Sequence, residues 1–415
     1  MTIAPRAALA AITGLALSAP ALAQAQYEFF LVDAFNTTYS LREAYVTEIN
    51  EQNIASGTAT AASAYTGFLW TPATGKTSIP VTAPKGLNVY RLDNDFVFDA
   101  ASSTSTTVPG VAGFGVPQLR DVSDGGLVVG RAWSGTPCSM VTCYAPLLWD
   151  AAGGSRLLTG VPNARELVRV NESGQVLGHV YRTNFERPEA FIYDLASSTH
   201  VNLGDGLPPH WLADFPITQA FDISDSGSAV GIARFGQELP RAFLWRAGGV
   251  RTLLPGLGTG EVDRVFPNGV NASHVVVGRA AIAHSSTPEF AYHAFIWDEA
   301  NGMRDLNALT TPEPGFILDE ASKINDSGWI VGYGHFGPGW GTARGFVLRP
   351  LAAACYANCD QSTAPPVLNV ADFGCFLQRF AAADAYANCD QSTAPPVLNV
   401  ADFGCFLQKF AAGCP

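Results

Sequence analysis

Several features that mark other protein classes are scarce in this chain of 415 residues. Charged residues amount to only 14%, the 24 Lys and Arg are outnumbered by 36 Asp and Glu, and no basic run occurs. Because nucleic-acid binding needs clustered Lys and Arg to neutralise phosphates, this balance argues against a nucleic-acid partner. Beyond the N-terminus, no stretch has the roughly 20 uncharged apolar residues that a membrane helix requires. We therefore expect no membrane span.

The common signatures of catalysis are missing as well. The chain contains no G-x-S-x-G elbow, no H-E-x-x-H pair, no Walker loop and no dinucleotide-binding glycine fingerprint. Its seven His residues are scattered along the sequence. We therefore assign no catalytic residue from the sequence.

The N-terminus predicts export from the cytoplasm. Arg6 is the one charged residue among residues 1–25, residues 7–17 are apolar, and Ala21-Leu22-Ala23 has the small-x-small pattern of a cleavage site. A short apolar segment with these flanks is typical of a secretory signal peptide. We predict a signal peptide over residues 1–25 and a secreted or cell-surface protein.

The next 320 or so residues repeat two short phrases, a sign of repeat architecture. The first phrase is an apolar residue, Asn or Ser, a turn usually with Gly, then an apolar run that ends in Gly. Its copies are residues 49–57, 122–130, 170–178, 223–231, 270–278 and 324–332. The second phrase is a small residue followed by a bulky apolar run, mostly Phe-Ile-Trp-like. Its copies are residues 67–70, 146–149, 190–193, 242–245, 294–297 and 345–348.

Each repeat predicts a small β-sheet. Asn, Asp and Gly tolerate the positive φ of hairpin turns, so the first phrase is a turn between two strands. The second phrase and a short strand after it make four strands in each repeat, which is the composition of a propeller blade. The last repeat lacks its fourth strand, and residues 27–35 match that strand in kind. We predict an all-β, six-bladed propeller over residues 27–350, closed by the N-terminal strand. The alternatives are an open β array, two sandwiches, or a propeller with a seventh, degenerate blade between Trp70 and Val122.

These phrases resemble the HAF-repeat family of extracellular bacterial proteins, named for a His-Ala-Phe tripeptide. His293-Ala294-Phe295 is a literal copy, and Arg241-Ala242-Phe243 and Glu189-Ala190-Phe191 are near copies. The resemblance implies a propeller-like domain outside the cell. It brings no catalytic residue, because the family motif is structural.

The C-terminal region consists of two nearly identical copies, residues 356–382 and 386–412, that differ at Arg379 and Lys409. In each copy, side-chain oxygens alternate along a loop, an apolar residue follows, and further oxygens precede an apolar helical pattern, as in calcium loops. The predicted calcium ligands are Asn358, Asp360, Ser362, Asn369 and Asp372 in the first copy and Asn388, Asp390, Ser392, Asn399 and Asp402 in the second. We expect two calcium sites; the alternative is that Asn369 and Asp372 only cap a helix and that Asn358 to Ser362 form a plain turn.

This region resembles a dockerin, and more narrowly the cysteine-containing (GC-type) dockerin-like modules of secreted bacterial proteins. The resemblance covers residues 355–415 and implies a small α-helical calcium-loop module whose helices bind a cohesin-like docking protein. The loops depart from the pattern in their first ligand, Asn, in Gln361 and Gln391 where Gly is usual, and in ending on Asp instead of Glu. Fewer carboxylate oxygens should weaken calcium binding.

The eight cysteines suggest disulfides, since export places the chain in an oxidising compartment. Cys138 and Cys143 lie in one loop, whereas the other six lie in the last 61 residues. The simplest hypothesis pairs Cys138 with Cys143, Cys359 with Cys375, Cys389 with Cys405, and Cys355 with Cys414. Six cysteines allow fifteen pairings, so other connectivities stay open.

The sequence thus favours a secreted, non-catalytic binding or structural protein that is anchored to an extracellular partner. A third hypothesis is a protein of assembly only, which predicts no small-molecule ligand. The main alternative is a carbohydrate-active enzyme, glycosidase-like, with a dockerin-like anchor and a glycan as its ligand. In that case a catalytic pair should come from acids outside the repeat pattern, and the candidates are Asp95, Glu186, Glu238 and Glu261.

Overall fold

The structure, a computed structural model, describes most of the chain. The described residues are 26–35, 43–61, 64–79, 96–99, 104–134, 143–181, 188–207, 217–234, 240–257, 264–282, 291–337, 342–351, 356–360, 362, 368–390, 392 and 395–413. The predicted signal peptide, residues 1–25, therefore lies outside the described residues.

Six four-stranded antiparallel sheets form the blades of a propeller, one for each predicted repeat. The N-terminal strand β1 (Tyr27–Val32) belongs to the last of them. Blade 1 consists of β2 (Ala44–Ile49), β3 (Ala55–Ala61), β4 (Ala64–Thr71) and β5 (Gly75–Ile79). A two-stranded hairpin follows, β6 (Phe96–Asp99) and β7 (Thr104–Thr107). Blade 2 consists of β8 (Pro117–Val122), β9 (Val128–Trp133), β10 (Tyr144–Asp150) and β11 (Gly154–Leu157).

The remaining blades follow the same order. Blade 3 consists of β12 (Ala164–Val170), β13 (Gln175–Tyr181), β14 (Pro188–Asp194) and β15 (Thr199–Asn202). Blade 4 consists of β16 (Ile217–Ile223), β17 (Ala229–Arg234), β18 (Arg241–Arg246) and β19 (Val250–Leu253). Blade 5 consists of β20 (Val265–Val270), β21 (Val276–Ile282), β22 (Ala291–Asp298) and β23 (Gly302–Asp305). Blade 6 consists of β24 (Phe316–Ile324), β25 (Ile330–Phe336) and β26 (Arg344–Pro350), with β1 as its fourth strand.

The N-terminal strand closes the ring as the sequence predicts. β1 pairs antiparallel with β26, and Phe29 lies opposite Leu348 and Leu31 opposite Phe346. One hydrophobic core cluster contains Val32, residues of blade 1 and residues of blade 6. Because β1 pairs with β26, it covers the edge of β26 and takes the outermost position of blade 6, as the fourth strand does in the other blades.

The seventh blade is not formed in the described part of the chain. Between Trp70 and Val122 the described strands are β5, the hairpin of β6 and β7, and β8. The hairpin has two strands, paired from Phe96 with Thr107 to Asp99 with Thr104, and it is a separate sheet. The long spacing in this region therefore reflects an insertion between blades 1 and 2.

The two repeated phrases pack directly on each other. The Gly that ends the first phrase has no room for a Cβ in any blade, because the carbonyl oxygen of the inner strand occupies the space, and in four blades the ring of the second phrase's Phe lies there as well. At Gly332 such a Cβ would come within 2.6 Å of Phe346 Cζ. The Phe rings are fully buried in five blades: Phe68, Phe191, Phe243, Phe295 and Phe346. The Phe side chain of the second phrase thus covers the backbone of the Gly in the first phrase, which is why both residues recur.

The turn of the first phrase needs a positive φ in every blade. Gly supplies it in four blades, whereas Asn53 (φ 61°) and His274 (φ 63°) supply it in blades 1 and 5. Asn and His tolerate this region better than most residues do. The turn is therefore kept where the Gly of the phrase is replaced.

The described helices are few. After blade 5 comes the one-turn helix α1 (Leu306–Leu309), and the C-terminal region contains α2 (Val370–Ala381), a 3₁₀ turn (Ala385–Ala387) and α3 (Val400–Ala412). None of these is long and apolar enough to cross a membrane. The C-terminal helices have their own hydrophobic core, centred on Phe376 and Phe406.

Candidate functional site

The first C-terminal loop folds back onto the start of α2. Asp360 Oδ1 accepts a hydrogen bond from the Ser362 amide (2.9 Å), and Asn358 Nδ2 donates to the Ser362 carbonyl (2.8 Å). Asp372, in the first turn of α2, is fully buried. Its Oδ1 accepts from the Asp360 amide (3.2 Å) and its Oδ2 from the Asn369 amide (2.9 Å). The two carboxylates predicted as ligands are therefore brought together with Asn358 and Ser362.

The second loop repeats this arrangement with Asp390 and Asp402. Asp390 Oδ1 accepts from the Ser392 amide (2.9 Å), and Asn388 Nδ2 donates to the Ser392 carbonyl (3.0 Å). Asp402 accepts from the amides of Asp390 (3.3 Å) and Asn399 (2.8 Å). Each copy thus presents the same set of oxygens.

Asn369 and Asn399 have a different position from the other predicted ligands. Each is the N-cap of its helix, and its side chain accepts from the amide two residues on at 2.8 Å. With Asp372 and Asp402 they complete a capping box at both helices. The helix capping that the sequence offered as an alternative is therefore present in both copies.

Two features of the loops bear on metal binding. The Oδ1 atoms of Asn358 and Asn388 are buried without a hydrogen-bond partner in the described chain. The pKa of Asp360 is lowered, first by the hydrogen bond from the Ser362 amide and also by a hydrogen bond with Asp372. Within the described residues, however, no group of three or more His, Cys, Asp and Glu is arranged to hold a metal. Each loop offers only two carboxylates, so amide and hydroxyl oxygens would have to complete a site.

Disulfides connect each loop to its helix. Cys359 is bonded to Cys375 and Cys389 to Cys405, with Cα–Cα distances of 5.7 and 5.8 Å. Cys143 is also disulfide-bonded. Cys138, Cys355 and Cys414 lie outside the described residues, so the two other predicted pairs stay predictions. Disulfides of this kind are typical of chains that fold in an oxidising compartment.

The centre of the propeller contains a second cluster of polar residues that the sequence did not reveal. Three buried acids, two half-buried bases and one Gly occupy the same place in the six inner strands, next to the last residue. We call them the inner ring: Glu48, Asp121, Arg169, Asp222, Gly269 and Lys323. Arg169 of blade 3 reaches Glu48 of blade 1 (3.5 Å), and Lys323 of blade 6 bonds Asp222 of blade 4. Because these blades are not neighbours, the side chains meet on the propeller axis.

The inner ring has three acids and two bases, and burial raises the pKa of two of the acids. Desolvation raises the pKa of Glu48 to about 7, against the lowering effect of Arg169 and Lys323. Desolvation also raises the pKa of Asp121. Asp222 Oδ1 is paired with Lys323 and lies 3.6 Å from Arg169 Nε. The charges of the ring are thus unevenly compensated.

Five further acids lie around the propeller axis, in the turns that follow the inner strands. We call them the rim, and the opening they surround the mouth of the central channel. The rim residues are Glu51, Asp124, Glu172, Asp225 and Asp326, with Ala272 in the sixth position. Most bind the turn of the preceding blade: Asp225 Oδ1 accepts from the Glu172 amide (2.8 Å), and Asp326 Oδ1 accepts from the Ala272 amide (2.7 Å). The amide of Asp326 in turn donates to Glu51 (3.1 Å). Rim residues therefore link successive blades.

The rim and the inner ring enclose one cavity of about 90 Å³. Asp121 and Lys323 contribute to its wall, together with the five acids of the rim. Burial raises the pKa of Glu51 and of Glu172, and the neighbouring rim carboxylates raise both further. The sequence pattern shows Asp124, Asp225 and Asp326 at one repeat position, where turn preference accounts for them; the structure adds Glu51, Glu172 and a shared cavity.

The acids proposed for an enzymatic alternative cannot be placed. Asp95, Glu186, Glu238 and Glu261 all lie outside the described residues. His293, from the His-Ala-Phe tripeptide, is described, and its Nδ1 lies 2.6 Å from Asp305 Oδ2. Asp305 is the N-cap of α1, so this His connects the third strand of blade 5 to the helix that follows it.

Comparisons with known proteins concern the propeller. No protein-family model matches the chain, and no curated protein matches it. Among solved structures, the chain is similar to an oligogalacturonate lyase from Vibrio parahaemolyticus, with 10% identity, a TM-score of 0.48, and coverage of 79% of this chain and 98% of that one. It is also similar to the β-propeller domain of the Trilobed protease from Pyrococcus furiosus, with 12% identity, a TM-score of 0.40, and coverage of 74% and 83%. A third is a putative TolB from Agrobacterium tumefaciens, with 12% identity, a TM-score of 0.38, and coverage of 78% and 99%.

Proposed function

We propose that this chain is an exported, non-catalytic binding protein whose HAF-repeat propeller, residues 27–350, is tethered to an extracellular partner by a dockerin-like module, residues 355–415. In this proposal the module binds two calcium ions and docks onto a cohesin-like protein. The observation that carries the proposal is the pair of buried, unpartnered oxygens, Asn358 Oδ1 and Asn388 Oδ1, each in a loop with two carboxylates. A buried acceptor without a donor is unfavourable unless a ligand satisfies it.

The donor set fits a hard cation that prefers oxygen. Asn358, Asp360, Ser362 and Asp372 would hold one ion, and Asn388, Asp390, Ser392 and Asp402 the other. Both oxygens of Asp372 already accept from amides, but each carboxylate oxygen can accept more than one contact. With two carboxylates in each loop, affinity should be in the range of weak extracellular sites, with a Kd of roughly 0.1 to 1 mM.

The docking role is supported by apolar residues on the outer surface of both helices. Val370 and Val400 are 84% and 83% exposed, and Leu377 and Leu407, one heptad later, are also exposed. Residues seven apart lie on the same face of a helix. Each copy therefore offers an equivalent apolar strip to a protein partner, as the dockerin resemblance implies.

Calcium titration of the mature chain tests this proposal. Calorimetry should show two calcium ions bound to each chain. Calcium should also raise the unfolding temperature of the module. EDTA should reverse this rise, and Mg²⁺ should not reproduce it. At 10 mM calcium, each site should contribute about 2 kcal/mol to the module's stability. A cohesin module offered as a probe should bind in calcium and dissociate in EDTA.

The variant Asp360→Asn with Asp390→Asn should abolish calcium binding, because it removes one carboxylate from each loop. Asp384→Asn is the matched control, since Asp384 lies between the copies, where it pairs with Arg379 (3.1 Å). It should bind calcium as the unmodified chain does. Unchanged unfolding with and without calcium would leave only the capping role for Asp372 and would refute the calcium sites.

A further inference from the structure

Each loop of the C-terminal module starts beside a tyrosine that is hydrogen-bonded to the other copy. Tyr356 lies two residues before Asn358, and Tyr386 lies two residues before Asn388. The hydroxyl of each Tyr donates to the backbone carbonyl of the other, and the two rings stack with their centroids 4.7 Å apart. The start of each loop is therefore held by the start of the other loop.

The same two rings also contact the helix of the opposite copy. Lys409 of α3 lies over the Tyr356 ring, with its Nζ 4.5 Å from the ring centroid. Arg379 of α2 lies over the Tyr386 ring, with its Cζ 4.7 Å from that centroid. The first turns of these two helices carry the fully buried Asp of each proposed calcium site. The start of one loop thus contacts the helix that completes the other site.

The atom that a cation would satisfy lies close to this contact along the chain. Asn358 Oδ1 is buried without a hydrogen-bond partner among the described residues, two positions after Tyr356. Between them, Ala357 is buried in the core that both copies share, together with Ala387. Fixing Asn358 on an ion would fix this short segment and the Tyr356 carbonyl, which accepts from Tyr386. Because residues in one hydrogen-bond network are energetically coupled, order in one loop should favour order in the other.

We propose that Tyr356 and Tyr386 are positioning residues that link the two calcium loops, so that the first ion bound makes the second bind more tightly. This inference rests on the proposal that the loops bind calcium, and it adds that they do so as a coupled pair. The coupling is reciprocal, because each site must change the affinity of the other by the same factor. A coupling of about tenfold corresponds to a Hill coefficient of about 1.5 for two equal sites.

Calcium titration of the mature chain by equilibrium dialysis tests the inference. The unmodified chain should bind two ions with a Hill coefficient of about 1.5. Tyr356→Phe combined with Tyr386→Phe keeps both rings and removes both hydroxyls, so it should still bind two ions but with a Hill coefficient of about 1. Tyr181→Phe is the matched control, because it removes a hydroxyl that donates to Glu166 in the propeller (3.0 Å). It should bind calcium as the unmodified chain does.

A second measurement detects the coupling without changing either tyrosine. Asp360→Asn alone disables the first loop, so the second loop must bind its ion without help. Its Kd should then lie about threefold above the midpoint of the unmodified chain, the square root of a tenfold coupling. In the chain that carries both Phe substitutions, Asp360→Asn should leave the affinity of the second loop unchanged.

The inference is overturned if the unmodified chain binds two ions with a Hill coefficient of about 1. It is also overturned if the double Phe variant stays cooperative, or if Asp360→Asn leaves the second loop's affinity at the unmodified midpoint. Absence of any calcium binding would overturn the calcium sites and this inference together. Two ions bound independently would overturn the coupling alone, so the two failures are distinguishable.

Discussion

The propeller and the C-terminal module are both built from duplicated sequence, but the duplicates are held together differently. In the propeller, six copies surround an axis, and the hydrophobic core clusters lie between neighbouring blades. In the module, two copies share one core, where Phe376 and Phe406 stack with ring centroids 4.3 Å apart. The blades have diverged in sequence while the module's copies remain nearly identical. A blade therefore packs against two neighbours, whereas each copy of the module packs against the other copy.

The module's symmetry explains why its copies stay alike. The Tyr356 hydroxyl donates to the Tyr386 carbonyl (2.5 Å), the Tyr386 hydroxyl donates to the Tyr356 carbonyl, and the two rings stack. Arg379 lies over the Tyr386 ring and Lys409 over the Tyr356 ring. The one difference between the copies is therefore between two cations that make the same contact. A change at any other contact position of one copy would alter the contacts of both copies.

The largest expected effect comes from a Gly-to-Ala substitution in the propeller, which is compared with the same substitution in the module. Gly332→Ala places a Cβ against the inner-strand carbonyl and within 2.6 Å of Phe346 Cζ. We expect it to destabilise the propeller by roughly 3 to 4 kcal/mol, because backbone and a buried ring must both move. Denaturant unfolding followed by Trp fluorescence measures this loss.

Gly374→Ala is the matched control in α2, where an added Cβ meets nothing within 4 Å. There the change should stabilise the helix by about 0.5 to 1 kcal/mol, because Ala is the better helix former. Equal effects at the two positions would show that the propeller can relax around its glycines, and the contrast between the regions would fail.

The second prediction concerns the disulfides of the module. Cys359→Ala with Cys375→Ala opens a loop of 16 residues and should destabilise the module by about 3 kcal/mol. Limited proteolysis should then cut within residues 356–413, while the fragment that contains the blades persists. The equivalent change at Cys389 and Cys405 should have the same effect, since the copies are equivalent. Resistance of both variants to the protease would mean that the aromatic core alone holds the module.

Much of the architecture was predictable because it is repeated. The turn, the Gly, the buried Phe and the closing strand recur or match in kind, so the six-bladed ring and the pairing of Tyr27–Val32 with β26 are confirmed. The seventh blade was a wrong alternative, since length alone does not distinguish an inserted hairpin from a degenerate blade. The helical pattern predicted at the end of each copy is also confirmed, as α2 and α3.

The inner ring was not predictable for the opposite reason. Its members share a position but not a residue type, so a search for similarity between repeats passes over them. A charged residue immediately before the last apolar residue of the inner strand was the available signal. Its meaning depends on contacts between blades that are far apart in sequence, such as Lys323 with Asp222. Sequence alone does not show which charges meet.

The smallest expected effect is a change in how the free energy of unfolding depends on pH, and it tests the inner ring. The pKa of Glu48 is about 7 in the folded protein against 4.5 for an ordinary Glu, so the folded state binds this proton more tightly. Stability from this group is therefore greatest in acid and falls as pH rises from about 4.5 to 7. Glu48→Gln should remove that fall, so its stability at pH 8 relative to pH 5 should exceed that of the unmodified chain by about 2 to 3 kcal/mol. Urea unfolding at both pH values measures this difference, with Glu313→Gln, at an exposed Glu, as the control. Parallel pH profiles for Glu48→Gln and the unmodified chain would mean that Arg169 and Lys323 keep Glu48 ionised, and that the propeller's centre is as well compensated as the aromatic core of the module.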